Sequence, residues 1–166
     1  MKNVLLLLSL LISFQMIGQK ELFMPVNFKE AYEKGTRSMD GKPGPNYWQN
    51  KAKYEITARV TPGNWTIEGT VNITYYNNSP DTLDALVIRM HPNQYEKGAS
   101  RDQQILSKNL TDGMKFSKVT ANGKAFEMDA LKSLDRSSTV GDLKLHSPLL
   151  PGTSVQLTFD WTSSLP

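Results

Sequence analysis

Residues 54–76 read YEITARVTPGNWTIEGTVNITYY, two alternating runs about a single turn. In the first run Tyr54, Ile56, Ala58 and Val60 alternate with Glu55, Thr57 and Arg59. In the second, Trp65, Ile67, Gly69, Val71, Ile73 and Tyr75 alternate with Thr66, Glu68, Thr70, Asn72 and Thr74. Successive side chains of a strand point to opposite faces, so a period of two predicts two half-buried strands. Thr61-Pro62-Gly63-Asn64 supplies the turn that joins them into a hairpin. The Thr-rich polar set suits the solvated side of an antiparallel sheet.

Downstream, the turn cluster Asn77-Asn78-Ser79-Pro80-Asp81 precedes Leu83 to Met90, a run apolar on both parities that predicts a strand covered on both faces. Residues 91 to 113 lack a clear period and read as a long loop with one helical turn around Gln103 to Lys108. Phe116 to Thr120 and Lys124 to Met128 flank Ala121-Asn122-Gly123, and Asn-Gly between such runs is a strong hairpin signal. Val140 to Leu145 predicts a further strand. After Pro148-Leu149-Leu150-Pro151-Gly152 the last strand alternates again, with Val155, Leu157, Phe159 and Trp161 inward.

Upstream, Asn27 and Glu30 have the spacing of a capping box, and Phe28, Ala31 and Tyr32 recur at helical spacing until Gly35, predicting a short helix. Residues 36–45, TRSMDGKPGP, forbid a regular element and read as an exposed connector. At the very start Met1 to Asn3 carries one cation and Val4 to Phe14 is almost continuously apolar. That length suits a signal peptide and falls short of the roughly 20 residues that span a bilayer. Cleavage is placed at Gly18/Gln19, which removes Lys2 and takes the net charge from +3 to +2. The expectation is therefore an all-β chain of mainly antiparallel sheets, saddle-like or sandwich, with a short N-terminal helix behind a signal peptide. Its organisation reads as 1–18 signal peptide, 19–46 helix and connector, and 47–166 β domain, incomplete at its C-terminus. The protein is expected to be exported, with no membrane span once the signal is removed.

Composition narrows the chemistry. Among 166 residues there is no cysteine, which removes disulfides, thiolate zinc sites and a catalytic thiol. With 19 basic and 16 acidic residues and no basic run longer than two, the clustered field that phosphate backbones need is missing, so no nucleic-acid partner is expected. His91 and His146 are the only histidines, too few for a zinc site that takes three or four ligands. Gly41-Lys42-Pro43-Gly44-Pro45 is stiffened by prolines that remove the N–H donors a phosphate loop supplies. Ser147 beside His146 superficially suggests a nucleophile and base, but strand neighbours point to opposite faces and Pro148 suggests a turn. Asp81 and Asp84 could form a carboxylate pair, but turn chemistry explains Asp81 and Asp84 has no second partner in sequence. Asn64, Asn72, Asn77 and Asn109 begin N-x-[ST] matches, read as chance in a strand-rich, Thr-rich chain. Trp65, Tyr75 and Trp161 share the inward phase and read as core, whereas Tyr76 is out of phase and reads as exposed. No catalytic, metal or cofactor-binding residue is assigned in this chain.

The stretches GKPGPNYWQNKAKYEI, GTVNITYYNNSPDTLDALVIRMHPN and LLPGTSVQLTFDW together resemble the N-terminal β domain of secreted bacterial members of the aminopeptidase N family of zinc metallopeptidases. The resemblance covers residues 22 to 162. It implies a saddle-shaped β domain that packs on a catalytic domain carrying H-E-x-x-H and a downstream Glu, where zinc activates water for peptide hydrolysis and the motif's Glu is general base. None of those positions exists here. The resemblance thus implies a fragment that supports and partly walls the cleft, partnered by its own missing C-terminal catalytic domain and, through it, by zinc and peptide substrates. The competing expectation is an autonomous exported β-sandwich that binds protein or glycan without enzymatic activity. The first reading predicts an unpaired sheet edge, an apolar docking surface and aggregation of the chain expressed alone; the second predicts a soluble monomer with a cooperative melt.

Overall fold

A computed structural model describes residues 23–127, 131–133 and 139–166, the side chains of 131–133 excepted. The signal-peptide stretch and the Met128 end of the second hairpin lie outside the described residues. The described residues divide into two compact units, with the boundary between Tyr47 and Trp48.

In the first unit, α1 spans Val26–Glu33. The capping box does not form, because the helix starts on Pro25: its carbonyl accepts the N–H groups of Phe28 (3.0 Å) and Lys29 (3.2 Å), which leaves Asn27 inside the first turn. The connector is exposed but tied down by its own backbone. Ser38 donates its N–H to Lys42 O (2.9 Å), Gly44 to Thr36 O (3.0 Å) and Asn46 to Gly35 O (2.9 Å). Arg37 lays its guanidinium 4.6 Å from the centre of the Phe28 ring.

The second unit is built from antiparallel strands in two sheets. One has five strands in the order β1-β2-β8-β4-β5, with β1 at Lys51–Thr61, β2 at Thr66–Tyr76, β8 at Ser154–Ser164, β4 at Lys115–Ala121 and β5 at Lys124–Ala125. The other has β3 (Leu83–Arg89), β7 (Val140–Leu149) and β6 (Leu131–Ser133) in the order β3-β7-β6. Both predicted hairpins are present. Asn122 and Gly123 take positive φ of 48° and 78°, the backbone that lets a two-residue turn follow the strand twist.

Register carries the inward phase across the five-stranded sheet. Ile56 pairs with Val71, which pairs with Phe159, which pairs with Val119; Tyr54, Ile73, Leu157 and Ala121 form the next row. A bulge at Ser117 inserts one residue, so that Phe116 lies on the same face as Val119 and meets Phe159 with ring centres 5.7 Å apart. The core sits where the β3-β7 layer covers this face, and comprises Leu86, Val119, Ala121, Leu143, Leu149, Val155, Leu157 and Phe159. On the opposite face Thr70 donates to Asp160 (2.6 Å) and Thr158 to Asn72 (2.8 Å), as a hydrated surface requires.

Several expectations need correction. β7 runs on through His146, Ser147 and Pro148, because the β3 register jumps from Leu83–Leu149 to Ala85–Lys144. Pro148, which has no N–H to give, falls in that irregular stretch. Residues 91–114 hold two 3₁₀ turns, His91–Tyr95 and Ser107–Asn109, joined by a bridge between Glu96 and Thr111. The second overlaps only the end of the helical turn expected at 103–108. Trp65 lies outside β2, in the hairpin loop with φ 53°, and is 66% exposed, so its phase in the sequence does not carry it inward. Tyr76 is exposed, Tyr75 is half-buried with its hydroxyl accepting from Asn50 (2.8 Å), and Trp161 is half-buried on the inner face.

Candidate docking groove

The inner face of the five-stranded sheet is longer than the layer that covers it. Its β8 and β4 portion is buried, but β1 is exposed at every residue from Lys51 to Val60. Tyr54, Ile56 and Val60, the inward set, are 59%, 63% and 52% exposed. The alternation that predicts a half-buried strand is real, but nothing among the described residues lies over β1. Strand β3, expected to be covered on both faces, is covered on one: Leu86 is buried while Val87 is 59% exposed.

Between these surfaces runs a groove of about 570 Å³. Tyr54, Ile56, Val71, Ile73 and Trp161 form its floor, Val87, Ile88 and Met90 one wall, and Met114 and Phe116 close it on another side. A second hollow of about 330 Å³ shares Tyr54, Ile73, Val87 and Ile88 and continues the groove toward Leu83 and Tyr75. The polar side chains in the main groove are Arg89 and His91, both exposed. An apolar trough bordered by a free sheet edge is the form of a surface that another polypeptide covers.

One end of the groove is anchored by a buried polar corner that turn chemistry alone does not reveal. Asn77 is fully buried, and its amide nitrogen donates to Asp81 O (2.8 Å) and Leu149 O (2.9 Å). Its oxygen accepts from Ser79 N (3.1 Å) and Ser79 Oγ (2.6 Å). Asn50 Oδ1 accepts from the N–H groups of Asn78 (2.8 Å) and Ser79 (3.1 Å), which fixes the start of β1 to the end of β2. Every amide valence of Asn77 is used, so this N-x-S match presents no free side-chain nitrogen.

The sequence candidates do not converge. His91 lies at the groove rim, while His146 is exposed on β7 and stacks on Phe126 with ring centres 4.0 Å apart. Asp81 serves the Asn77 corner through its backbone carbonyl. Among the described residues no three His, Asp or Glu side chains gather as a metal would require, and no helix is long and apolar enough to cross a membrane. The groove residues Met90, Met114 and Phe116 carry no motif; their apolar character is the sole signal.

Comparison with known protein families gives no match, and no curated protein matches the sequence. Solved structures do match in part. One is a variant of a two-domain M1 zinc metallopeptidase bound to L-arginine, with TM-score 0.42 and 16% identity over 67% of this chain and 19% of the other. Another is a variant of an M1 zinc metallopeptidase from Deinococcus radiodurans, with TM-score 0.44 and 15% identity over 74% of this chain and 22% of the other. The chain thus spans about a fifth of the length of these structures.

Proposed function

We propose that this chain is the N-terminal, non-catalytic β domain of an exported zinc-dependent aminopeptidase, and that it supports and partly walls the active-site cleft of that enzyme. The observation that carries the reading is the uncovered groove: Tyr54, Ile56 and Val87 lie exposed around a trough of about 570 Å³ beside the edge strand β1. A catalytic domain of the same polypeptide would bury the roughly six-tenths of each side chain still in water, which favours association by about 1–2 kcal/mol each. The three sequence stretches that resemble the aminopeptidase N family choose the kind of domain, and the apolar stretch Val4 to Phe14 supports export.

Zinc belongs to the catalytic domain in this reading. Among the described residues the side chains do not suit it, since His91 and His146 are not gathered with carboxylates. This chain's part is mechanical: a rigid sheet, pinned at the Asn77 corner, that presents an apolar face. The test is to read the coding sequence in frame past Pro166. The reading expects H-E-x-x-H and a later Glu; a stop codon directly after Pro166 would overturn it.

A further inference from the structure

The groove uses the face of the sheet, but β1 also has an in-plane edge. Strand β1 pairs only with β2, and its other edge has no strand beside it among the described residues. From Lys51 to Val60 it is exposed, and its eleven residues contain neither proline nor a bulge against β2. A flat, regular edge of this kind is a template for another strand.

The order of side chains in β1 selects the strand that fits. Placed antiparallel to a copy of itself about a two-fold axis through Thr57, Glu55 faces Arg59 twice, Tyr54 faces Val60 twice, and Ile56 faces Ala58 twice. Opposite charges therefore meet on the polar face and apolar side chains meet on the inner face. Centring on Ile56 would set Lys53 against Arg59, and centring on Glu55 would set Glu55 against itself and Lys51 against Arg59. Centring on Tyr54 or Ala58 shortens the overlap. The Thr57 register is the longest that opposes unlike charges without opposing like ones. It also accommodates the local ion pair, because Lys53 Nζ lies 2.7 Å from Glu55 Oε1 and would leave the second carboxylate oxygen to Arg59 of the second copy.

We propose that the β1 edge is a self-association surface, through which two copies of this chain join their five-stranded sheets antiparallel about Thr57. A two-fold contact of one patch with itself closes after two copies, so it gives a dimer and not a fibre. The edge contact is made by the backbone of β1 and the groove by the face of the sheet; Tyr54 and Ile56 border both, and either reading can fail without the other.

Charge reversal tests it. The purified chain is expected to sediment as a dimer, and Glu55→Arg or Arg59→Glu alone should weaken association about tenfold, since each sets like charges opposite one another. An equimolar mixture of the two variants should associate within about threefold of the parent chain. One copy then carries a positive charge at both positions and the other a negative charge at both, so each cross-strand pair again joins unlike charges. Circular dichroism checks that each variant is folded. A second readout needs no charge change: the chain has no cysteine, so Thr57→Cys should cross-link to a disulfide dimer under mild oxidation, as facing antiparallel residues about 4.5–5.5 Å apart allow, while Lys124→Cys on the far edge should not. A monomeric parent chain, a mixture that fails to recover, or equal cross-linking at 57 and 124 would overturn the proposal.

Discussion

Gly69 of β2 faces Trp161 of β8, and a Cβ on Gly69 would stand 2.9 Å from Trp161 Cζ2 and 2.6 Å from the carbonyl oxygen of Thr57. The glycine is there because the indole lies across its strand and forms the floor of the groove. Its backbone angles are ordinary, so the constraint is space. Gly69→Ala is expected to lower stability by about 1–3 kcal/mol, through displacement of Trp161 or the β1 backbone. Urea unfolding followed by tryptophan fluorescence would measure both the loss and the altered ring environment.

The Asn77 corner makes a separate prediction. Asn77→Asp puts acceptors where two donors reach Asp81 O and Leu149 O, and Asn77→Ala removes the amide donor from Leu149 O and the amide oxygen from Ser79, while Ser79 N keeps Asn50 and Asp81 O keeps Ser79 Oγ. Either change is expected to cost about 2–4 kcal/mol, since buried unsatisfied groups carry their full desolvation penalty. The urea midpoint should fall by a corresponding amount, while Asn78→Ala, with an exposed side chain, should cost less.

Polar substitution in the groove should behave in the opposite way. Ile56→Asp and Val87→Asp change side chains that are already largely in water, so stability is expected to shift by no more than about 0.5 kcal/mol. Leu157→Ala, in the core, should cost about 2–5 kcal/mol. Binding of a hydrophobic dye should drop in the groove variants and rise in the core variant.

The exposed ion pairs set a small pH dependence. The hydrogen bond from Lys53, with its charge, holds the Glu55 carboxyl below its ordinary value, and Lys97 does the same for Asp112. A carboxylate depressed in the folded chain takes up its proton first in the unfolded one. The stability it adds is thus present above the ordinary carboxylate range and is lost as pH falls through the depressed folded value. Both pairs are in water, so the effect is slight and weakens with salt. NMR titration should show the Glu55 value rising toward its ordinary one in Lys53→Ala.

Much of this fold is legible as period two, because β2 and β8 lie in the middle of the sheet and their inner phase, Val71, Ile73, Leu157 and Phe159, meets the core. The same period misleads at β1. A strand whose inner face is exposed has the same alternation as one that is covered, so alternation alone does not separate an exposed Ile56 from a buried Leu157. Trp65 fails for a local reason, since its positive φ starts the strand one residue later than alternation suggests. Pro148 reads as a stop, but an irregular register relieves it of donating to β3. The groove itself is an outcome of how far two sheets overlap, and no short motif encodes that.

The central claim is that the groove belongs under another domain of the same polypeptide. The direct measurement is covalent surface labelling of Tyr54, Ile56 and Val87, carried out on the 166-residue chain and on the uninterrupted product of its gene. The account predicts strong labelling of all three in the chain and protection of all three in the full product, which should also release N-terminal residues from peptides in a zinc-dependent manner. Equal labelling in the two would contradict it.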